Sequence, residues 1–169
     1  FRLIAHADLI DYAVVMLQKE VALRLMAGPG TKEYGAPTVL LASCAEVRRL
    51  MAVDRAEFHP QPKVDSLVIR ISFHPLPERV RALGWFDRSL LTRVVHAAFG
   101  QRRKTLLNGL ASAGLPLDKT ELNRCLIAAG FSPQVRGETL TLEDFVGLSR
   151  LLAKAQNLPT TTNDSHHHD

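Results

Sequence analysis

The 169-residue chain is 46% hydrophobic, with 21 Lys and Arg against 17 Asp and Glu, a formal charge of +4, and two cysteines. That size supports one domain core and a smaller appendage, and the apolar runs are too short and interrupted to span a bilayer. Cys44 and Cys125 match no C-x-x-C spacing and sit among apolar neighbours, which points to buried reduced thiols rather than a disulfide or metal pair. With no basic start leading into an apolar signal core, the expected compartment is the cytoplasm.

In chain order, Tyr12 to Leu17 is an almost wholly apolar, β-branched run, the pattern of a strand covered on both faces in a parallel-type α/β sheet. Lys19 to Met26 reads as a helix that stops at Gly28-Pro29-Gly30, and Pro37 to Cys44 as a short helix with proline in its first turn. Glu46 to Val53 and Ser66 to Phe73 read as strands. In the second, Leu67, Ile69 and Ile71 share one face while Val68, Arg70 and Ser72 share the other. Before it, Pro60 and Pro62 fix their own φ and hold His59 and Gln61 extended, so Phe58 stands on a stiff segment. Read locally, Phe58 is either core beneath this loop or an aromatic face presented by it.

His74 to Trp85 breaks the pattern with two prolines and a glycine and marks a domain boundary. All that follows is helical. Asp87 caps a helix through Leu90, Leu91, Val94 and Val95, Gly100 interrupts, and a second helix carries a basic cluster into Thr105 to Leu110. Asp118 with Glu121, and Thr141 with Asp144, form capping boxes, bracketed by Leu117 and Leu122 and by Leu140 and Phe145 as hydrophobic staples, so helices are expected near 118–129 and 142–155. Pro159 ends the order, and 159–169 is expected to be a disordered tail in which His166 to His168 form no catalytic metal site.

Charge is unevenly distributed. Residues 76–158 hold 12 Lys and Arg against 7 Asp and Glu, whereas 1–75 hold 9 against 8. Gln101, Arg102, Arg103 and Lys104 concentrate the surplus: either a solvated helix face, or a site for phosphate, which suits the Arg fork and the Lys point charge. Gln18, Lys19 and Glu20 follow the first strand at its carboxyl end, where open α/β sheets place ligands; they are site-lining residues or ordinary surface.

Taken together, VVMLQKEVALRL (Val14 to Leu25), GPGTKEYG (Gly28 to Gly35), FHPQPKVDSLVIR from Phe58, AAFGQRRKTLLNGL from Ala97 and RGETLTLEDFVGL from Arg136 resemble successive blocks of the ribosomal RNA adenine N6-dimethyltransferase family, in its bacterial small-subunit branch. The resemblance covers nearly everything from Phe1 to Leu152. It implies the C-terminal strands and helices of a Rossmann-like methyltransferase domain (1–75), followed by a small all-α domain docking ribosomal RNA (76–158). The glycine-rich S-adenosylmethionine loop and the Asn-Leu-Pro-Tyr motif of the family are absent from this chain, so it reads as a C-terminal portion, inactive alone.

By the same resemblance, Phe58 stacks on the flipped target adenine, Lys63 meets a phosphate, Asp65 and Ser66 are architectural, and Gln101 to Lys104 face RNA. The implied reaction of the intact protein is transfer of methyl groups from S-adenosylmethionine to N6 of two adjacent adenines near the 3′ end of small-subunit ribosomal RNA, on the 30S particle. Other readings are a non-catalytic RNA-binding or interaction fragment, a large-subunit enzyme of the macrolide-resistance type, and a helical protein with no nucleic-acid role. Self-association through an exposed sheet edge is a further expectation.

Overall fold

The computed structural model describes residues 2–100 and 104–156. Two short helical segments, α1 (Arg2–Ala5) and a 3-10 turn at Ala7–Leu9, lead into β1 (Tyr12–Gln18). There follow α2 (Lys19–Leu25), α3 (Ala36–Ala42), β2 (Glu46–Val53), a 3-10 turn at Arg55–Glu57, and β3 (Ser66–Ser72).

The strands form one sheet in the order β1-β3-β2, with β3 antiparallel to both neighbours. The expected parallel pairing is therefore corrected: β1 and β2 run in the same direction, but β3 lies between them and takes the hydrogen bonds of each. Burial of β1 on both faces is corrected too. Register places Ala13, Val15 and Leu17 beside Ile71, Ile69 and Leu67, and this face packs on Ala22, Leu41 and Cys44. Tyr12, Val14 and Met16 point the other way and are each about half exposed. On that open face the Arg70 guanidinium stacks 4.3 Å from the Tyr12 ring centre. β2 carries an irregularity between Arg49 and Met51, where Leu50 is the residue left over in the register.

The stretch from His74 to Trp85, read from the sequence as a domain boundary, contains α4 (Glu78–Leu83). Next come α5 (Arg88–Gly100), α6 (Leu106–Ala111), α7 (Lys119–Ala128), a 3-10 turn at Gly137–Thr139 and α8 (Leu142–Gln156). The caps are made as the sequence suggests. Asp87 Oδ1 accepts from Ser89 and Leu90 at 2.8 and 3.0 Å. Asp118 and Glu121 exchange hydrogen bonds of 2.8 Å each, and Thr141 and Asp144 exchange bonds of 2.9 and 3.2 Å. Each satisfies amides that a helix start leaves unpaired.

Phe145, Leu148 and Leu152 of α8 meet Val94 and Val95 of α5 in the larger core, which also takes in Tyr34, Val39 and Leu40 from the α3 region. Tyr34 ties the two halves: its hydroxyl donates to the Leu140 carbonyl at 2.8 Å and its ring meets Phe99 edge-on. Gly109 allows α6 to approach α5 so closely that a Cβ there would lie 2.5 Å from the Ala97 carbonyl oxygen. Among the described residues no helix is long and apolar enough to cross a membrane.

Candidate functional site

Register determines which residues meet at one end of the sheet. Gln18, the last residue of β1, lies opposite Ser66, the first of β3, and Ser66 lies opposite Val53, the last of β2. The segments leaving or entering these positions, Lys19-Glu20, Asp54-Arg55 and Lys63-Asp65, therefore converge, the first from more than 30 residues before the other two. They line an open cleft of about 600 Å³.

Asp65 organises this cleft. Its carbonyl accepts from the Lys19 backbone N–H at 2.9 Å, and its carboxylate lies 3.9 Å from Lys19 Nζ. The same carboxylate accepts from the Arg55 backbone N–H at 3.4 Å, while the Arg55 guanidinium donates to the Lys63 carbonyl at 3.4 Å. One acidic side chain thus bridges the start of α2 and the turn after β2. Asp54 closes that turn by accepting from the Ala56 N–H at 2.8 Å. Lys19, Arg55 and Lys63 line the cleft together with Glu20, Glu33, Asp54 and Asp65. Its charge is nearly balanced, which suits a polar but neutral guest better than a bare phosphate.

Gln18, Lys19, Glu20 and Lys63 are brought together here. Phe58 is half-buried immediately after the Arg55–Glu57 turn, in the loop that returns to Lys63, and is not itself among the cleft-lining residues. The His59–Pro60 peptide in that loop is cis. Arg55, Asp54 and Glu33 were not singled out from the sequence. Asp at the end of a strand, two residues before an amide it accepts from, is the local signal that would have drawn attention to the Asp54 turn.

Lys104 is exposed and precedes α6, whose N-cap is Thr105. The expectation of a helix carrying the basic cluster is corrected for Lys104, because the Thr105 hydroxyl accepts from the Asn108 N–H and starts the helix after it. Gln101, Arg102 and Arg103 lie outside the described residues, as does the 159–169 tail. Cys44 and Cys125 are free and buried; burial pushes the Cys44 thiol up to about 11, against the opposing pull of Arg88, and raises that of Cys125 as well. These are inert thiols at neutral pH. Among the described residues no group of three or more His, Cys, Asp or Glu is arranged to hold a metal.

Among the described residues, no strand-to-helix junction offers the glycine-rich turn that would hold S-adenosylmethionine. β1 passes straight into α2 at Gln18-Lys19 without a glycine turn, Gly28 to Gly30 follow a helix instead of opening one, and the Gly30 amide donates to the Glu138 carbonyl at 2.8 Å.

Residues 1–147 match the family model described as ribosomal RNA adenine dimethylase. The chain is 45% identical over 165 residues to a protein of Desulfotalea psychrophila named ribosomal RNA small subunit methyltransferase A, covering 93% of this chain and 55% of that protein. It is 45% identical over 152 residues to the protein of the same name from Geobacter metallireducens, covering 90% and 54%. The chain thus spans about half the length of these relatives. Among solved structures, a dimethyladenosine transferase from Plasmodium falciparum superposes with a TM-score of 0.73 at 24% identity, over 92% of this chain and 62% of that one. The 23S rRNA methyltransferase ErmE gives 0.54 at 23% identity, over 85% and 55%. These two likenesses show that the chain shares the fold of the matched part of those structures. With its fold, its ordered sequence blocks and a matching family model in agreement, the chain belongs to the ribosomal RNA adenine dimethylase family.

Proposed function

We propose that this chain supplies one wall of the target-base pocket and the RNA-docking helices of an enzyme that dimethylates N6 of two adjacent adenines near the 3′ end of small-subunit ribosomal RNA, on the cytoplasmic 30S particle. The observation that carries this reading is the cleft at the shared end of β1, β2 and β3, where Gln18, Lys19 and Glu20 meet Lys63 beside the Phe58 loop. Its balanced charge suits a neutral purine. A base must leave its stack to reach such a cleft, and an aromatic face such as Phe58 offsets part of that cost, about 1–3 kcal/mol per base.

Phosphate contacts fall to the helical unit, 76–156, and to Gln101, Arg102, Arg103 and Lys104. Relatives named for the small subunit match at 45% identity across most of the chain, which favours that substrate over large-subunit RNA. S-adenosylmethionine provides the methyl group in the intact enzyme, and its site lies outside these residues. The chain alone is inactive.

The test is binding of the 169-residue chain to a 3′-terminal small-subunit rRNA fragment across a salt series, beside Arg102→Glu/Arg103→Glu. The reading expects the logarithmic salt slope to fall by about two in the variant and affinity to drop at every salt concentration. Calorimetry with S-adenosylmethionine should give no binding heat. RNA binding indifferent to the charge reversal would remove the docking role, and cofactor binding would overturn the assignment of its site elsewhere.

A further inference from the structure

Trp85, the protein's single tryptophan, is 84% exposed, the most exposed large hydrophobic residue among the described residues. It sits in the turn between α4 and α5, and that turn is fixed on both sides. Gly84 before it has φ +66°, in the left-handed region where glycine is at ease. Phe86 after it is buried, and Asp87 caps α5 through two amides. From the opposite side, the Arg150 guanidinium of α8 donates to the Leu83 carbonyl and, through Nη2 at 2.8 Å and Nε at 3.3 Å, to the Trp85 carbonyl.

A turn gripped in this way holds the indole out in solvent, because the backbone cannot rotate to bury it without releasing Arg150, the Asp87 cap or Phe86. Two exposed arginines, Arg81 four residues before it and Arg88 three residues after, sit on the adjoining helices. Arg88 is only loosely held, 3.9 Å from Asp8. An exposed aromatic ring on a fixed turn, with arginines four residues before and three residues after it, has the composition of a base-stacking platform: the ring suits the π-face of any unpaired base, the arginines suit the phosphates beside it, and the fixed backbone lowers the ordering cost.

We infer that Trp85 is a second RNA contact, on which an unpaired base outside the target pocket stacks, with Arg81 and Arg88 reaching the flanking phosphates. This inference rests on the RNA-docking reading above. It adds a contact on the α4–α5 turn, remote in sequence from both the Phe58 loop and the Gln101 to Lys104 cluster.

Because no other tryptophan is present, intrinsic emission on selective excitation reports this ring alone. Titrating the 169-residue chain with the 3′-terminal rRNA fragment should quench it along the same curve as binding measured on labelled RNA. Trp85→Ala should weaken binding roughly 5- to 100-fold, the worth of one base stack, while Trp85→Phe retains most of the affinity. Both variants should melt with the parent chain, since the ring is exposed. A fully paired RNA duplex should bind without quenching. RNA binding that leaves emission unchanged, or that Trp85→Ala leaves intact, overturns this inference while the docking reading stands. Emission that responds to small-subunit ribosomal proteins but not to RNA would also overturn it and assign the ring to a protein contact. Loss of the Arg102 and Arg103 dependence is the separate outcome that removes the docking reading itself.

Discussion

In the helical half, Val94, Val95, Phe145 and Leu148 are fully buried between α5 and α8. In the sheet half, β1 is equally apolar in sequence, yet Tyr12, Val14 and Met16 stand half exposed on a face that no described element covers. The helices close around their apolar stripes with help from Tyr34, Val39 and Leu40 of the α3 region, and that core is buried. A strand has two faces, and α2 and α3 cover only one. Apolar composition therefore predicts burial for an amphipathic helix, whereas for a strand it states only a demand that other elements must meet.

Substitutions measure that contrast directly. The largest effect is expected at Phe145, fully buried in the shared core: Phe145→Ala should cost about 3–5 kcal/mol in urea unfolding, through lost burial and a cavity. A loss under 1 kcal/mol would mean that the helical core is not where stability resides.

An intermediate effect is expected where the halves join. Burial, reinforced by Glu143 and Asp144 and opposed by Arg79, pushes the Tyr34 phenol from its ordinary 10 up to about 12. Below pH 10 the phenol is protonated whether folded or unfolded, and its contribution is fully present. Between about pH 10 and 12 the unfolded chain ionises first, so that contribution is lost as pH rises, on the order of 2 kcal/mol. Comparing urea midpoints at pH 9 and 11.5 for the parent and Tyr34→Phe isolates this residue. Equal alkaline losses in both would show that the Tyr34 hydroxyl does not lock the halves together.

The smallest effect is expected on the open sheet face. Val14→Thr keeps shape and strand propensity and should change stability by less than about 0.5 kcal/mol. A loss above 2 kcal/mol, dependent on protein concentration, would show that a second copy covers this face and would collapse the contrast between the halves.

Much of the fold was legible because its signals act over a few residues. Alternation at Leu67, Ile69 and Ile71 identified the covered face of β3, and the pairs Asp118 with Glu121 and Thr141 with Asp144 started α7 and α8 where they stand. The α4 helix was missed because flanking prolines and a glycine outweighed the short Glu78–Leu83 stretch. At the candidate site, Gln18 to Glu20 and Lys63 were singled out as separate features. Arg55 is not legible locally because its partners, Asp65 and Lys63, lie eight or more residues away across a loop, whereas the Asp54 turn is signalled by its bond to the Ala56 amide.

Local residue order was enough for most of the helices, their caps, the strand segments and the family to which the chain belongs. These follow from amide capping, side-chain periodicity and ordered motifs, all written in local residue order. Long-range packing placed β3 between β1 and β2, set Asp65 between the α2 and β2 ends of the cleft, and brought Arg150 onto the turn under Trp85. Those arrangements pair groups up to 67 residues apart. Register and burial select among such pairings collectively, after the local elements have formed.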